Sequence, residues 1–311
     1  MSGPAAVDLA VEVGAVRLAN PVIAASGTFG YGIEFAHLMD LNRLGGLVVK
    51  GLSLEPMPGA PAPRLVGTPA GMLNAVGLQN VGVRKFIAEK LPLLRAYRTP
   101  VVANVFGHTV KEYGEVVRHL EGAEGVVAYE LNISCPNVAC GGLQFGSDRR
   151  MAAGVVAAVR QIARRPLWVK LSPNVADIGA MARAVEEAGG DALTVANTYP
   201  AMSVDFRTRR SRIGNPTGGL SGRAIRPITM RLVYEVSRAV RIPVVALGGI
   251  DSAEDVLEYF VVGAAAVQIG TATFADPRAC ENLVVALERL CMSSKITKIS
   301  NLTGTFRGEK A

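Results

Sequence analysis

The sequence predicts an α/β protein, specifically a closed (β/α)₈ (TIM) barrel with an N-terminal hairpin and long active-site loops. Three observations carry this: the length, the number of short apolar runs, and the helical patterns between them. At 311 residues the chain suits one barrel, since such barrels take about 250 residues plus insertions. Half of the residues are apolar and only 5% aromatic, a mixture rich in Ala, Val and Gly that suits tightly packed parallel strands. A single domain over residues 1–311 follows.

Eight apolar runs are predicted strands: Pro21–Ala25, Gly46–Lys50, Pro100–Val105, Val126–Ile133, Pro166–Leu171, Ala192–Ala196, Pro243–Leu247 and Ala264–Ile269. They are nearly continuous in hydrophobicity and rich in β-branched residues, as strands buried on both faces must be. Between them, Val83–Tyr97, Val110–Leu120, Arg149–Arg164, Val175–Ala188, Ala224–Val240, Ala253–Val262 and Pro277–Met292 have helical periodicity. In the fourth, Ile178, Met181, Ala182, Val185 and Ala188 share one face. Alternating strands and helices leave a closed barrel or an open doubly wound sheet. The count of eight favours the barrel, and the first strand ends without a dinucleotide-type glycine fingerprint. Leu9–Leu18, centred on Gly14, reads as a hairpin closing the barrel bottom. Two stretches, Leu52–Val81 and Tyr199–Ile225, read as long loops; both follow strands and so belong to the active-site face. The polar, basic tail over 293–311 reads as a frayed terminus.

The net charge of +7 suits an anionic small ligand or an acidic partner as well as nucleic acid. The basic residues are dispersed apart from Arg207, Arg209, Arg210 and Arg212, and no basic stripe alternates with aromatics, so nucleic-acid binding is not expected. Cys135, Cys140, Cys280 and Cys291 have no CxxC spacing, which gives neither a metal site nor a disulfide framework. No leader pattern opens the sequence and no charge-free apolar run approaches the ~18 residues of a membrane span. A soluble, cytoplasmic protein is expected.

The strand ends are polar: Ser26, Lys50, Asn104, Asn132 with Cys135, Lys170, and Asn197 with Thr198. In a barrel these ends converge on one mouth. After the last two strands come Gly248–Gly249 and Gly270–Thr271, each before a helical segment. Glycines there let backbone N–H groups approach an anion, and barrels bind phosphate at this place; tight-turn chemistry is the alternative. A lone lysine leaving a strand usually reaches solvent. Lys50 and Lys170 together beside a phosphate site point instead to one lysine pairing with an anionic substrate and the other stabilising negative charge on a reduced cofactor. Asn74, Asn132, Asn137 and Asn197 offer carboxamides, donor and acceptor at once, suited to a ring of alternating N–H and C=O groups. Turn chemistry is the alternative, plausible for Asn137 after Pro136 and less so for Asn132 within a strand. Cys135 at the mouth is a nucleophile or a base, and spacing does not say which. His37, His108 and His119 are scattered and none stands in a partner position, so a thiol pKa near the free value of about 8.5 and turnover rising toward alkaline pH are expected.

The segments ASGTFGYG, NAVGLQN, NISCPNV, VKLSPN, ANTY, GGLSG, ALGGI and QIGTA resemble, over about residues 5–290, those of class 1 dihydroorotate dehydrogenases. The cysteine of NISCPN distinguishes that class from class 2, which has serine there, and VACGGLQFGSD is most similar to class 1B, the NAD-linked type. The resemblance implies that FMN contacts Ser26, Lys50, Gly51, Asn104, Asn132, Lys170, Val195, Gly222, Gly248, Gly249, Gly270 and Thr271. It implies dihydroorotate contacts at Lys50, at Asn74, Ala75, Val76, Gly77 and Leu78, and at Asn132, Asn137, Asn197 and Thr198. Cys135 is then the catalytic base, taking the C5 proton while hydride leaves C6 for flavin N5, and Lys170 sits near the N1–C2 edge of the flavin. It further implies a homodimer within a heterotetramer whose second subunit carries FAD and a [2Fe–2S] cluster and reduces NAD⁺. The loop DFRTRRSRIG and the C-terminal tail depart from the pattern. Alternatives are a class 1A-like homodimer using fumarate, another FMN barrel such as a dihydropyrimidine dehydrogenase domain or dihydrouridine synthase, and a flavin-free phosphate-binding barrel with Lys170 as a Schiff base.

Overall fold

A computed structural model describes residues 7–134, 139–140 and 143–308. Eight parallel strands close into a barrel: β1 (Val22–Ala24), β2 (Gly46–Leu52), β3 (Val101–Val105), β4 (Ala128–Asn132), β5 (Leu167–Lys170), β6 (Ala192–Val195), β7 (Val244–Ala246) and β8 (Ala266–Ile269). Each lies within or beside a predicted apolar run. Neighbours in sequence are neighbours in the barrel, and β8 pairs with β1 through Val267↔Val22 and Ile269↔Ala24. Nearly every strand residue is buried, which is why the runs read as continuous rather than alternating.

The helices start where the chain offers caps. Thr109 accepts from the Glu112 amide, Asp148 from those of Arg150 and Met151, and Asp177 from that of Ala180. Ser252 and Asp255 form a reciprocal capping box. These devices set the helices that follow β3, β4, β5 and β7. No helix among the described residues is long and apolar enough to cross a membrane.

The N-terminal hairpin is present, with arms Val11–Val13 and Val16–Leu18. Its turn residues, Gly14 and Ala15, both have positive φ, 51° and 63°, the type I′ geometry that matches strand twist. A Cβ on Gly14 would stand 2.9 Å from the Asp191 carbonyl oxygen, just before β6, so the hairpin lies at the N-terminal end of the barrel.

Two readings change. The long stretches after β2 and β6 are not plain loops. They carry Leu65–Thr68, Gly71–Asn74, Tyr199–Ala201 and Gly218–Ser221, which pair as one antiparallel sheet. The two stretches meet through Gly219↔Asn74, Leu220↔Leu73 and Ser221↔Met72. These strands are three or four residues long and rich in Gly, and their central pairing spans about half the chain, so no local pattern announces it. The arginine-rich segment forms a small hairpin, Val204–Asp205 against Arg210–Ser211, with Arg207 over the exposed Phe206 ring.

The second change is the tail, which docks over residues 296–306 rather than fraying. The Asp8 amide donates to the Thr297 carbonyl and the Ile299 amide donates to that of Asp8, at 2.9 and 3.0 Å. Ile299 is fully buried, and the Gly304 and Phe306 amides donate to Phe260 and Val261. Ile296, Ile299 and Leu302 recur at every third position, but so short a run among Ser, Lys, Thr and Asn does not say that it docks. Ile299→Ala is expected to cost about 2–4 kcal/mol of stability, read as a lowered denaturation midpoint; an unchanged midpoint would show that the tail contributes nothing.

Candidate active site

The C-terminal ends of the strands and the small antiparallel sheet enclose one cavity of about 1150 Å³. It is lined by Ser26, Lys50, Gly51, Asn104, Asn132, Lys170, Asn197, Thr198, Gly222, Gly248, Gly249, Gly270 and Thr271, and by Asn74, Ala75, Val76, Gly77 and Leu78 from the loop after β2. The geometry thus gathers nearly all the predicted site residues around one space. Val195 does not line it; its side chain is fully buried at the end of β6. Cys135 and Asn137 lie outside the described residues. The four arginines of the hairpin beyond β6 do not line the cavity; Arg223, at the rim, pairs with Asp251.

The carboxamides form a linked group. Asn132 Oδ1 accepts from the Ser134 hydroxyl at 2.7 Å, and the same hydroxyl oxygen accepts from Asn197 Nδ2 at 2.6 Å. Asn197 Oδ1 accepts from the Thr198 amide, while Asn74 Nδ2 donates to the Gly219 carbonyl across the small sheet. Ends of β4 and β6 are thereby held in one orientation, with Ser134 as the connector. Ser134 was not singled out from the sequence.

Both lysines sit where their charge is costly. Burial pulls the Lys50 ammonium below the ordinary lysine range, Arg64 adds repulsion, and Glu34 offsets part of this. Lys170 is buried at 6% exposure; burial lowers its pKa and the Glu130 charge opposes the shift. Glu130, two residues before Asn132 on the same face of β4, has no exposure at all. Its Oε1 accepts from Asn104 Nδ2 at 2.7 Å; its Oε2 accepts from the Thr194 hydroxyl at 2.7 Å and from Gln268 Nε2 at 2.5 Å. Glu130, Thr194 and Gln268 were missed by the sequence reading. The available signal was a carboxylate inside an apolar strand, in VVAYELNIS, where burial without partners would be prohibitive.

At the opposite wall, Gly248 and Gly249 have φ of 158° and 71°. A Cβ on Gly249 would stand 2.5 Å from Arg226 Cβ, so glycine is required by both conformation and space. The Gly248 carbonyl is occupied by the Tyr259 hydroxyl at 2.7 Å. Thr271 heads the short helix Ala272–Ala275 without capping it; its hydroxyl donates to Ser221 at 2.8 Å instead. The Thr273 and Phe274 amides donate to the Gly270 and Thr271 carbonyls, which leaves the amides of Thr271 and Ala272 at this turn for an anion. Thr28 Oγ1 and Gln268 Oε1, both on the cavity wall, are buried without a partner among the described residues. A large polar ligand with an anionic end fits this donor set: glycine turns for a phosphate, carboxamides and lysines for a heterocycle. FMN meets that description.

The two glycine turns differ in a testable way. A Cβ at Gly270 would meet nothing nearer than 3.8 Å. Gly270→Ala is expected to change stability by less than about 0.5 kcal/mol, whereas Gly249→Ala should cost about 1–3 kcal/mol. Chemical denaturation of both variants checks this; equal effects would remove the argument that the Gly249 turn is sterically determined.

Comparison with known proteins agrees with this geometry. The family model described as dihydroorotate dehydrogenase matches residues 8–291. A protein of Solibacter usitatus, provisionally named dihydroorotate dehydrogenase A (fumarate), is 54% identical over 96% of this chain and 98% of its own length. The dihydroorotate dehydrogenase B (NAD(+)) catalytic subunit of Trichlorobacter lovleyi is 51% identical over 96% of this chain and 99% of its own. That of Citrifermentans bemidjiense is 49% identical over 96% and 98%. Among solved structures, the dihydroorotate dehydrogenase of Eimeria tenella in complex with ferulenol superposes with a TM-score of 0.80 at 20% identity, covering 96% of this chain and 88% of that one, a likeness of fold. With a family model matched over most of its length and relatives at about half identity across nearly all of it, the chain belongs to the dihydroorotate dehydrogenase family.

Proposed function

We propose that this chain oxidises (S)-dihydroorotate to orotate in pyrimidine biosynthesis, with FMN bound in the barrel mouth and electrons passed to NAD⁺ through a partner subunit. The observation that carries the reading is the linked carboxamide group of Asn132, Ser134 and Asn197 beside the buried Lys170 and the half-buried Lys50 in one cavity.

The glycine turns at Gly248–Gly249 and Gly270–Thr271 would hold the FMN phosphate. Ser26, Gly51, Asn104, Asn132, Lys170 and Gly222 would line its ring and ribityl chain, with Val195 contributing from behind. Bound flavin supplies a hydride acceptor. Lys50 would pair with the substrate carboxylate. The carboxamides of Asn74, Asn132, Asn137 and Asn197, with Thr198 and the Ala75–Leu78 backbone, would match the alternating donors and acceptors of the pyrimidine. Cys135, just past β4, would take the C5 proton. Lys170 would face negative charge developing at the far edge of the site.

Two of the three sequence relatives named above are NAD-linked catalytic subunits, which supports an electron-transfer partner; in this reading the partner carries FAD and a [2Fe–2S] cluster and joins a dimer of this chain in a cytoplasmic heterotetramer. The Solibacter relative favours a second reading, a homodimer using fumarate. Turnover by the isolated chain with fumarate as sole acceptor separates the two: efficient reduction selects the second.

Anaerobic mixing of the FMN-loaded protein with dihydroorotate tests the reaction itself. Rapid bleaching of the flavin absorbance is expected, slowed about 10²–10⁴-fold in Cys135→Ser. A yellow protein that ignores dihydroorotate would reject the substrate.

The pH dependence of kcat/KM follows from two groups. The rate rises as the Cys135 thiol ionises. Lys50 is a cation only below its pKa, which burial holds beneath the 10.5 of a free lysine, so substrate binding is lost as pH rises through that lowered value. A bell with its alkaline limb below 10.5 is expected, and Lys50→Met should remove that limb while raising KM. A profile flat on the alkaline side in wild type would contradict the assigned role of Lys50.

A further inference from the structure

Behind the cavity wall, covered by Asn104 and Gln268, lies a carboxylate that neither substrate nor cofactor binding calls for. Glu130 is wholly buried, and an ionised carboxylate in such a place requires compensation. A carboxylate is an acceptor only, so every group touching it must present a donor. Asn104 and Gln268 therefore turn their amide nitrogens to Glu130, and their carbonyl oxygens face away. Asn104 Oδ1 lies against Gly51 on the cavity wall, where a Cβ would be 2.9 Å from it. Gln268 Oε1 has no partner among the described residues.

Three neutral donors hold the carboxylate but do not neutralise it. The nearby cation is Lys170, which makes no ion pair or hydrogen bond among the described residues. Lys170 stands beside Asn132 on one side and Thr194 on the other in the barrel register, and the Thr194 hydroxyl is itself on Glu130. Lys50 from β2 and the neutral Asn104 and Gln268 from β3 and β8 line the same cavity, and the neutral Thr194 on β6 is the register partner of Lys170. Arg223 and Asp251 pair with each other at the rim. Cys135 follows β4 in sequence and lies outside the described residues.

We propose that Glu130 is a positioning residue of this site: its buried carboxylate keeps Lys170 in the ammonium form and aims the Asn104 and Gln268 carbonyl oxygens at the bound ligand. The inference rests on the flavin reading above and concerns residues that do not themselves take part in proton or hydride transfer. A lysine in this position without a counter-ion sheds its proton easily, and a neutral amine cannot balance negative charge on a reduced flavin.

Sulfite is a probe independent of turnover. It adds to oxidised flavin and leaves negative charge on the ring, so its affinity reports the cation beside it. Binding is followed spectrally against pH in the FMN-loaded protein, with affinity expressed per sulfite dianion. In wild type the affinity should fall as pH rises through the Lys170 pKa, and Lys170→Met should abolish that midpoint. Glu130→Gln, similar in shape but uncharged, should lower the midpoint by about one pH unit or more, with affinity below both midpoints equal or stronger. A merely structural role would weaken FMN binding or stability without moving the midpoint. A Glu130→Gln protein that loads FMN and titrates like wild type overturns the proposal. Should that variant fail to load FMN, Glu130→Asp decides, since it keeps the charge but withdraws it by one methylene. It should lower the midpoint by a smaller step, and an unmoved midpoint overturns the proposal. A wild-type protein that never takes up FMN would overturn the flavin reading together with this inference, a result distinct from an unmoved midpoint.

Discussion

The pairing of β8 with β1 joins the end of the barrel sequence to its beginning, and the rest of the molecule depends on it. Val267–Ile269 lie alongside Val22–Ala24 with about 240 residues of chain between them. Without this ladder the parallel sheet would have two open edges and no interior. With it, all inward side chains meet across one space, and the C-terminal strand ends converge on one mouth. The hairpin at one end and the antiparallel sheet at the other then cover a barrel that already exists.

Closure also explains why a polar layer is tolerated inside. A barrel interior excludes water as fully as any core, so a carboxylate there must be satisfied from within. β3, β6 and β8 each contribute one donor to Glu130: Asn104, Thr194 and Gln268. Those strands are brought around the same point only by the closed sheet. One layer above, Lys170 and Asn132 are register partners on β5 and β4, so the position of the cation is set by the strand pairing. The polar layer thus separates an apolar barrel, with Trp168 fully buried on β5, from a mouth lined with carboxamides and glycine turns.

The local signals in the sequence were strong where each element satisfies its own requirements. Buried parallel strands need uninterrupted apolar residues, and eight such runs stood out. Helix segments show apolar periodicity, which located them, while the caps that fix their starts, Thr109, Asp148, Asp177 and Ser252, are seen in the structure. Lys50, Lys170 and the paired glycines were conspicuous because they end apolar strands, and a barrel gives strand ends a common address. The small antiparallel sheet gave no such signal: its strands are short, its glycines resemble loop residues, and Gly219 finds Asn74 only after the barrel has formed. Ile299 was hidden in the same way: with Ile296 and Leu302 it makes a short apolar run whose pocket is formed by distant elements.

By itself, then, the sequence determined the number and order of strands, the positions of most helices, and which side chains would crowd the mouth, because these follow from periodicity and from strand ends. Tertiary structure alone decided that two remote loops would pair into a sheet over that mouth, that the tail would dock, and that Glu130, remote in sequence, would lie one layer beneath Lys170. Each of these depends on contacts between residues far apart in the chain, and such contacts leave no local trace: the groups that satisfy one another are chosen by closure of the barrel, not by their neighbours in sequence.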